Sequence, residues 1–394
     1  MTPAVTVSQR GEERIRGGHP WVYRSDIVAV DRADAGAVVR VVTGRGGRHR
    51  PLGSALYSDR SEIAIRLITR ADEAIDEGFW RRRIEQAIAY RASLEIEATG
   101  TDAYRLVHGE GDLLPSLVVD RYREYLVVQA LSQGTDRLQP TFVKHLVDLL
   151  QPRGILARND PRVRQLEGLE QKVELLHGEV PERLTVREAG VEYEIDPWRA
   201  QKTGLFLDQR ENRIAARRWA HGRLLDCFSY HGGFALALAP RCDAALALDI
   251  SEAAVKQIEA NAARNGLTNL EAREANVFDE LRELDRAGER FDTIVLDPPA
   301  FAKSKSAIPK AAAGYKEINL RAMKLLAPGG ILVTCSCSYN VDEEMFGAIV
   351  QQAAADAHAS LVLVEKRLQG RDHPVLVGVP ETYYLKCLIL RKIA

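Results

Sequence analysis

The stretch FDTIVLDPPAFAKSK, residues 291–305, decides how the rest of the chain is read. Thr293 to Leu296 is a short apolar, β-branched run stopped by Asp297-Pro298-Pro299, the pattern of a buried strand. Neither proline donates a backbone hydrogen bond and both fix φ, so the chain leaves the sheet rigidly. An aspartate is thereby held at the carboxyl end of a strand, the edge where ligands bind in an open α/β sheet. Phe301 follows two residues past the proline pair. A carboxylate on a stiff loop with an aromatic beside it suits a flat polar ring, so Pro298, Pro299, Phe301 and Lys303 become candidate substrate-binding residues. Alone, the tripeptide would read as an Asp-Pro turn with Phe301 in the core.

Downstream, residues 331–334 form another strand, followed by Cys335-Ser336-Cys337. Consecutive strands of a doubly wound sheet can be neighbours, so Asp297 and a cysteine can face one site. Carbon 5 of cytosine becomes nucleophilic only after a thiolate adds at carbon 6. Such a thiolate needs donors or positive charge nearby to lower its pKa. The plainer alternative is two small buried strand residues. Among these cysteines one is the expected nucleophile.

Upstream, the pattern alternates. Residues 223–228 read as a strand, Ser229-Tyr230-His231-Gly232-Gly233 as a loop, and 234–238 as the start of a helix. A strand at 244–248 ends in Asp249, a helix covers 252–265, and a strand at 270–274 precedes Asn276-Val277-Phe278. Alternation of this kind predicts a mostly parallel, doubly wound α/β sheet. The glycine loop admits a ligand close to the backbone, and Asp249 is placed to accept ribose hydroxyls. Asn276 and Val277 could meet an adenine edge and face. The loop is not GxGxxG, which disfavours a pyrophosphate and points to S-adenosylmethionine, a nucleoside cofactor without phosphates. In QKTGLFLDQRENR (201–213), Thr203-Gly204 permits close backbone approach to a ligand, and Asp208 opens an amphipathic helix, as a helix start or as part of a lid.

The first half is organised differently. Residues 1 to about 70 form a β-rich module, with strands at 37–42 and 62–68 joined by a Gly- and Arg-rich turn at 44–50. Up to Arg70 there are twelve arginines, no lysine and seven acids, a local balance that favours phosphate contacts if the side chains are available. In the stretch 16–23, Trp21 and Tyr23 beside Arg16 and His19 suit an RNA-facing edge, though Trp21 is more often core. A helix at 79–97, a hairpin within 103–131, a helix at 139–150 and a strand at 154–157 follow; His108 and Glu110 there are expected to serve a turn. Across the 394 residues the apolar fraction of 46% and charged fraction of 28% are those of a globular protein, without a transmembrane run or a signal h-region. Five cysteines lack disulfide-framework or zinc spacing, so a reduced, cytoplasmic protein without a structural metal is expected. The net charge of −1 gives no global argument for nucleic acid.

These motifs identify a resemblance. HPWVYRSDI (19–27), YRLVHGEGDLLPSLVVDRY (104–122), QKTGLFLDQRENR (201–213), LLDCFSYHGGFALALA (224–239), LDPPAFAKSK (296–305), GYKEINLRAMKLLAPGG (314–330), SCS (336–338) and DHPVLVGVPETYYLK (372–386) resemble the bacterial large-subunit (23S) ribosomal RNA 5-methylcytosine methyltransferases with an N-terminal PUA domain. The resemblance implies a PUA-like RNA-binding domain at 1–74, a small central α/β domain at 75–195 and a Rossmann-like class I methyltransferase domain at 196–394. It selects Cys337 over Cys335 as nucleophile and gives Asp297 the cytosine ring nitrogen and amino group. Phe228, Ser229, Tyr230, Gly232, Gly233, Asp249, Ser251, Asn276 and Val277 would hold S-adenosylmethionine, released as S-adenosylhomocysteine. Lys202, Thr203, Gly204 and Asp208 would close over its methionine end. Ribosomal RNA, or an assembling large subunit, is the implied partner, and a homodimer is compatible with the sequence. Many RNA cytosine-5 methyltransferases carry a second cysteine directly after the proline pair; that place is Ala300 here, which leaves the carbon 5 base to water or Cys335. The competing expectations are methylation of a guanine nitrogen without a covalent intermediate, and an RNA-binding assembly factor.

Overall fold

A computed structural model describes residues 3–43, 50–200 and 203–394. They form two compact units: Met1–Val186 with Ile195–Leu205 and Arg371–Thr382, and Arg187–Glu194 with Phe206–Gly370 and Tyr383–Ala394.

The first unit holds two sheets. Six strands, β1 (Ala4–Val7), β2 (Trp21–Tyr23), β3 (Ile27–Asp31), β4 (Val38–Thr43), β5 (Arg50–Tyr57) and β6 (Ile63–Thr69), are ordered β2-β6-β5-β4-β1-β3. Val5, Val7, Val22, Val39, Val41 and Ile65 are buried and pack with Ile15 of the helix α1 (Gln9–Arg16). Of the turn expected at 44–50, all but Arg50 lies outside the described residues. The arginine excess of this module is largely engaged internally. Arg10 pairs with Asp26, Arg16 with Glu12, Arg40 with Asp72 and Arg66 with Glu167, while Arg24 donates to the carbonyls of Ser58 and Ser61. Trp21 is half-buried, its indole N–H donating to Glu110 at 3.0 Å.

The second sheet is ordered β11-β10-β9-β8-β7, from β7 (Ala103–His108), β8 (Leu117–Tyr122), β9 (Tyr125–Ala130), β10 (Gly154–Asn159) and β11 (Lys172–Gly178). The expected hairpin is a three-stranded meander, with β8 antiparallel to both β7 and β9. Helix α2 runs Glu77–Ser93, starting where Asp76 accepts the Phe79 N–H at 2.8 Å. Helix α3 (Gln133–Leu150) starts six residues before the expected 139, because Pro140, an ordinary helix breaker, is carried inside it. His108 is half-buried against the buried His373, ring centroids 5.0 Å apart, and burial drives its pKa well down, a packing role. A one-turn helix α4 (Val163–Leu166) precedes β11, and β12 (Leu184–Glu188) with β13 (Val191–Ile195) forms a two-stranded sheet.

The second unit is the doubly wound sheet that the 291–305 stretch predicts. Its seven strands are β14 (Arg223–Cys227), β15 (Ala244–Asp249), β16 (Leu270–Glu274), β17 (Phe291–Leu296), β18 (Leu326–Ser336), β19 (Leu361–Arg367) and β20 (Lys386–Lys392), ordered β16-β15-β14-β17-β18-β20-β19. The strands from β16 to β18 are parallel, and β20 runs antiparallel to both its neighbours. Helices α5 (Arg210–Arg217), α6 (Gly233–Leu238), α7 (Glu252–Arg264), α8 (Val277–Arg286), α9 (Ile308–Leu325) and α10 (Glu343–Asp356) cover the faces. The spacing of Phe346, Ile349, Val350 and Ala353 puts one stripe of α10 into the core shared with α8, α9, Ile294 and Leu332. Each such fully buried aliphatic or aromatic side chain contributes roughly 1.5–3 kcal/mol. A second core, with Phe234, Leu238, Ala215, Val295 and Cys335, lies on the α5–α6 face. Among the described residues no helix is long and apolar enough to cross a membrane.

Candidate active site

The carboxyl ends of β14, β15, β17 and β18 build the site. Strand β14 stops at Cys227, one residue earlier than expected, because Phe228 has φ 65. Tyr230 (φ 53) and Gly232 (φ 81) share that left-handed backbone, so the loop coils tightly before α6. At Gly233 the reason for a glycine is different: a Cβ would stand 2.9 Å from Arg213 Nη1. Arg213 is itself buried and held in a bidentate pair with Glu188 at 2.6 and 2.7 Å, which keeps the guanidinium charged despite burial.

Two carboxylates organise this loop. Asp249 ends β15 as expected, and its two oxygens accept the N–H groups of Tyr230 (2.9 Å) and Ser251 (3.0 Å). Asp226, inside β14, accepts the Ser229 hydroxyl at 2.6 Å and the Ala235 N–H at 2.9 Å on one oxygen. Its other oxygen is buried without a partner among the described residues, and burial pushes its pKa up to about 7. Ser251 and Asn276 stand at the expected strand ends, but their side chains cap α7 and α8, accepting from the N–H groups of Ala254 and Phe278. Val277 is buried in the core below them. Phe228, Phe278 and Phe301 form an aromatic cluster with ring centroids 6.0–6.4 Å apart, and Phe301 leans on Tyr315 at 4.7 Å. Loop 228–233 carries no Lys or Arg for a phosphate, and the nearby Arg213 is neutralised by Glu188. A carboxylate, turned backbone and an aromatic wall fit a nucleoside better than a dinucleotide.

Asp297 follows β17 directly, and β17 pairs with β18 in the register Leu296↔Thr334, so Asp297 and the cysteines do share one edge. Asp297 Oδ1 accepts the Gln209 amide at 2.8 Å; Gln209 accepts from Asn212, which accepts from Arg367. Cys337 is half-buried, its thiol directed at the Pro298 carbonyl at 3.8 Å. The flanking serines alternate to the opposite face: Ser336 donates to the Tyr315 hydroxyl, which also bonds Ser338, and Ser338 accepts the Ala302 N–H. Cys335 is fully buried beside Cys387, and burial holds its thiol well above the usual range, which unsuits it as the carbon 5 base. Pro298 is buried, while Pro299 and Lys303 are exposed.

The remaining candidates are placed differently. Asp208 lies in a 3₁₀ turn (Leu207–Gln209) ahead of α5, whose N-cap is Gln209; its carboxylate is buried and accepts the Tyr384 hydroxyl at 2.8 Å. Lys202 lies outside the described residues. Thr203 and Gly204 belong to the first unit, where Thr203 donates to Asp120. The close approach that Gly204 permits is to a protein side chain: its Cβ would meet Tyr122 at 3.2 Å. Sequence reasoning missed Gln209, Arg213, Asp226, Tyr315 and Lys386. Lys386 donates to the carbonyls of Ser338 (2.7 Å) and Tyr384 (2.9 Å). Only the Gln and Arg in LDQRENR carried a signal, polar residues at the start of a helix that then turns inward.

Comparison with known proteins agrees with this geometry. Residues 105–391 match the S-adenosylmethionine-dependent methyltransferase family and residues 5–70 the PUA-like domain. The chain is 39% identical over 394 residues to the ribosomal RNA large subunit methyltransferase I of Vibrio cholerae, covering 98% of each protein. It is 40% identical over 401 residues to the protein of that name from Tolumonas auensis, covering 100% of each. The fold matches that of a methyltransferase solved with S-adenosylhomocysteine, with TM-score 0.84, 19% identity and coverage of 98% of this chain and 99% of that one. The chain belongs to the S-adenosylmethionine-dependent methyltransferases, in the family of the ribosomal RNA large subunit methyltransferase I proteins.

Proposed function

We propose that the protein methylates carbon 5 of a cytosine in large-subunit ribosomal RNA, with Cys337 as nucleophile. The observation that carries this reading is the half-buried Cys337 thiol, one residue past the strand that neighbours β17 and Asp297, directed at the Pro298 carbonyl. A guanine-nitrogen methyltransferase would have no use for a thiol there. The printed name of the relatives supplies the RNA class.

Phe228–Gly233, Asp249, Ser251 and Asn276 would hold the cofactor, with Val277 under the adenine and Asp208 toward the methionine end. S-adenosylmethionine supplies an electrophilic methyl group on a cationic sulfur. The chain's own residues do the rest. The target cytosine is turned out of its stack, at a cost of a few kcal/mol when paired, and Asp297, braced by Gln209, hydrogen-bonds its ring nitrogen and amino group. Cys337 gives up its proton to water and Sγ bonds to carbon 6, sending an electron pair to carbon 5. Carbon 5 takes the methyl group, its proton leaves to water, and the returning electron pair expels the thiolate. Ala300 offers no base, and Cys335 is too deeply buried to serve. Ribosomal RNA from a strain lacking this protein, treated with enzyme and cofactor and digested, is expected to gain 5-methylcytidine by mass spectrometry. Cys337→Ala should abolish turnover and retain cofactor binding. A new methylguanosine, or normal turnover by Cys337→Ala, overturns the reading.

A further inference from the structure

The two serines that flank Cys337 are joined in a closed circuit by a tyrosine from another part of the chain. Tyr315 lies on α9, in the motif GYKEINLRAMKLLAPGG, to which the cytosine reading gives no role. Tyr315, Ser336 and Ser338 are all fully buried. The Ser336 hydroxyl donates to the Tyr315 oxygen at 3.1 Å, which leaves the phenol proton for Ser338, 3.0 Å away. The Ser338 N–H closes the circuit on the Ser336 hydroxyl oxygen at 3.4 Å. Cys337 is the one residue between the two serines, and the Lys386 ammonium further fixes the Ser338 carbonyl at 2.7 Å.

The circuit also reaches the loop that Asp297 begins. The Ser338 hydroxyl oxygen accepts the Ala302 N–H at 3.1 Å, and the Asn340 amide donates to the Ala302 carbonyl at 3.3 Å. Residues 297–302 are therefore tied to the cysteine turn at both ends, at Leu296 by its register with Thr334 and at Ala302 by Ser338 and Asn340. The Tyr315 ring is itself held between Phe301, 4.7 Å away, and Phe346, 5.6 Å away. The surrounding core is apolar, and a phenylalanine and two alanines would fill it with no hydroxyl to satisfy. Replacing bonded polar groups by apolar ones of the same shape is close to neutral for stability. What the three oxygens add is direction, because a satisfied buried network fixes one arrangement.

We propose that Tyr315 and Ser338 form the joint that sets the position of Cys337 relative to Asp297. Tyr315 is a positioning residue: it is fully buried, its hydroxyl is engaged by both serines, and it acts through them on the turn that carries the thiol. This role rests on the cytosine reading and deepens it. Sγ must add to carbon 6 of the ring that Asp297 grips, so the two groups are needed at one fixed separation. A misplacement of ~1 Å costs about 100-fold in rate.

The test is single-turnover transfer of a radiolabelled methyl group from S-adenosylmethionine to ribosomal RNA of a strain lacking the protein, with the full chain and saturating RNA. Tyr315→Phe and Ser338→Ala are each expected to slow the step roughly 10- to 100-fold. Cofactor affinity and the half-saturating RNA concentration should stay within about twofold of wild type, the split expected when only the transition state is affected. One break opens the circuit, so the double variant should be no slower than Ser338→Ala, far short of the product of the two effects. A merely structural role would lower thermal stability and leave the rate of the folded enzyme unchanged. A folded Tyr315→Phe protein at the wild-type rate, or effects that multiply in the double variant, overturns the joint. If Tyr315→Phe does not fold, Ser336→Ala and Ser338→Ala decide: slowed rates in both support the joint, and wild-type rates in both overturn it. Total methyl transfer is read whichever base accepts it, so the two readings fail separately. Slowed variants that make methylguanosine keep the joint and remove the cytosine; 5-methylcytidine made at full rate by the variants does the reverse.

Discussion

The buried carboxyl of Asp226 gives a prediction with a definite sign. It sits under loop 228–233 with one oxygen accepting from Ser229 and Ala235 and the other, among the described residues, unpartnered. Those two donors favour the ionised form, but burial outweighs them and raises the pKa from 3.8 to about 7. The folded protein therefore binds a proton that the unfolded chain releases. The group's contribution to stability is full below pH ~4, falls as pH rises, and is lost once pH passes about 7. The shift corresponds to ~4 kcal/mol in all, of which roughly 2–3 kcal/mol falls between pH 5 and 8. Asp226→Asn preserves the shape and the accepting oxygen and cannot ionise. In urea unfolding followed through the methyltransferase unit, the stability difference between variant and wild type should move in the variant's favour by that 2–3 kcal/mol from pH 5 to 8. A constant offset at all pH values would come from the buried amide hydrogens of Asn and leaves this slope untouched. Parallel pH profiles for the two proteins would refute the reasoning.

Gln209→Leu removes the donor to Asp297, a charge-assisted bond of about 1.5–3 kcal/mol, so single-turnover methylation should slow roughly 10- to 150-fold with cofactor affinity little changed. Arg213→Met strands the buried Glu188 carboxylate and should destabilise the unit by about 3–5 kcal/mol in thermal unfolding, with much of the loss recovered by adding Glu188→Leu. Gly232→Ala must hold φ 81 with its Cβ 3.0 Å from Leu236, and about 1–2 kcal/mol of strain should weaken cofactor binding roughly 5- to 30-fold by calorimetry. Lys303→Ala with Lys305→Ala removes two exposed cations after the Asp-Pro-Pro turn; if both meet phosphates, the slope of log affinity for single-stranded RNA against log salt should become shallower by about 1.4.

What the sequence disclosed follows the range of the interactions. The strand ended by Asp297-Pro298-Pro299, the acid closing β15 and the turn chemistry of Gly232 are local, and each is visible in a few residues. The left-handed Phe228 and Tyr230 were not, because bulky residues are poor markers of positive φ. Gln209, Arg213 and Tyr315 matter through partners 88, 25 and 21–23 positions away, so no window of the chain could show them. Asp226 looked like any residue of an apolar strand, since nothing nearby in sequence says that its second oxygen is dry. Ser251 and Asn276 show a local role the sequence also offers: Ser and Asn before a helix are cap residues by default, and their side chains cap α7 and α8.

The place of β20 bears on how the molecule comes into being on the ribosome. It is made after β19 yet lies between β18 and β19, so these two strands have no partner in each other while the chain emerges. Until residue 392 is available, a nascent sheet shows the unpaired edge of β18, with Ile331, Leu332 and Val333, to whatever is near, the exposure that invites strand-to-strand association. The same late strand brings in Lys386. A chain truncated just before it would carry residues 228–233 and Cys337 itself, and still lack the closure of its sheet.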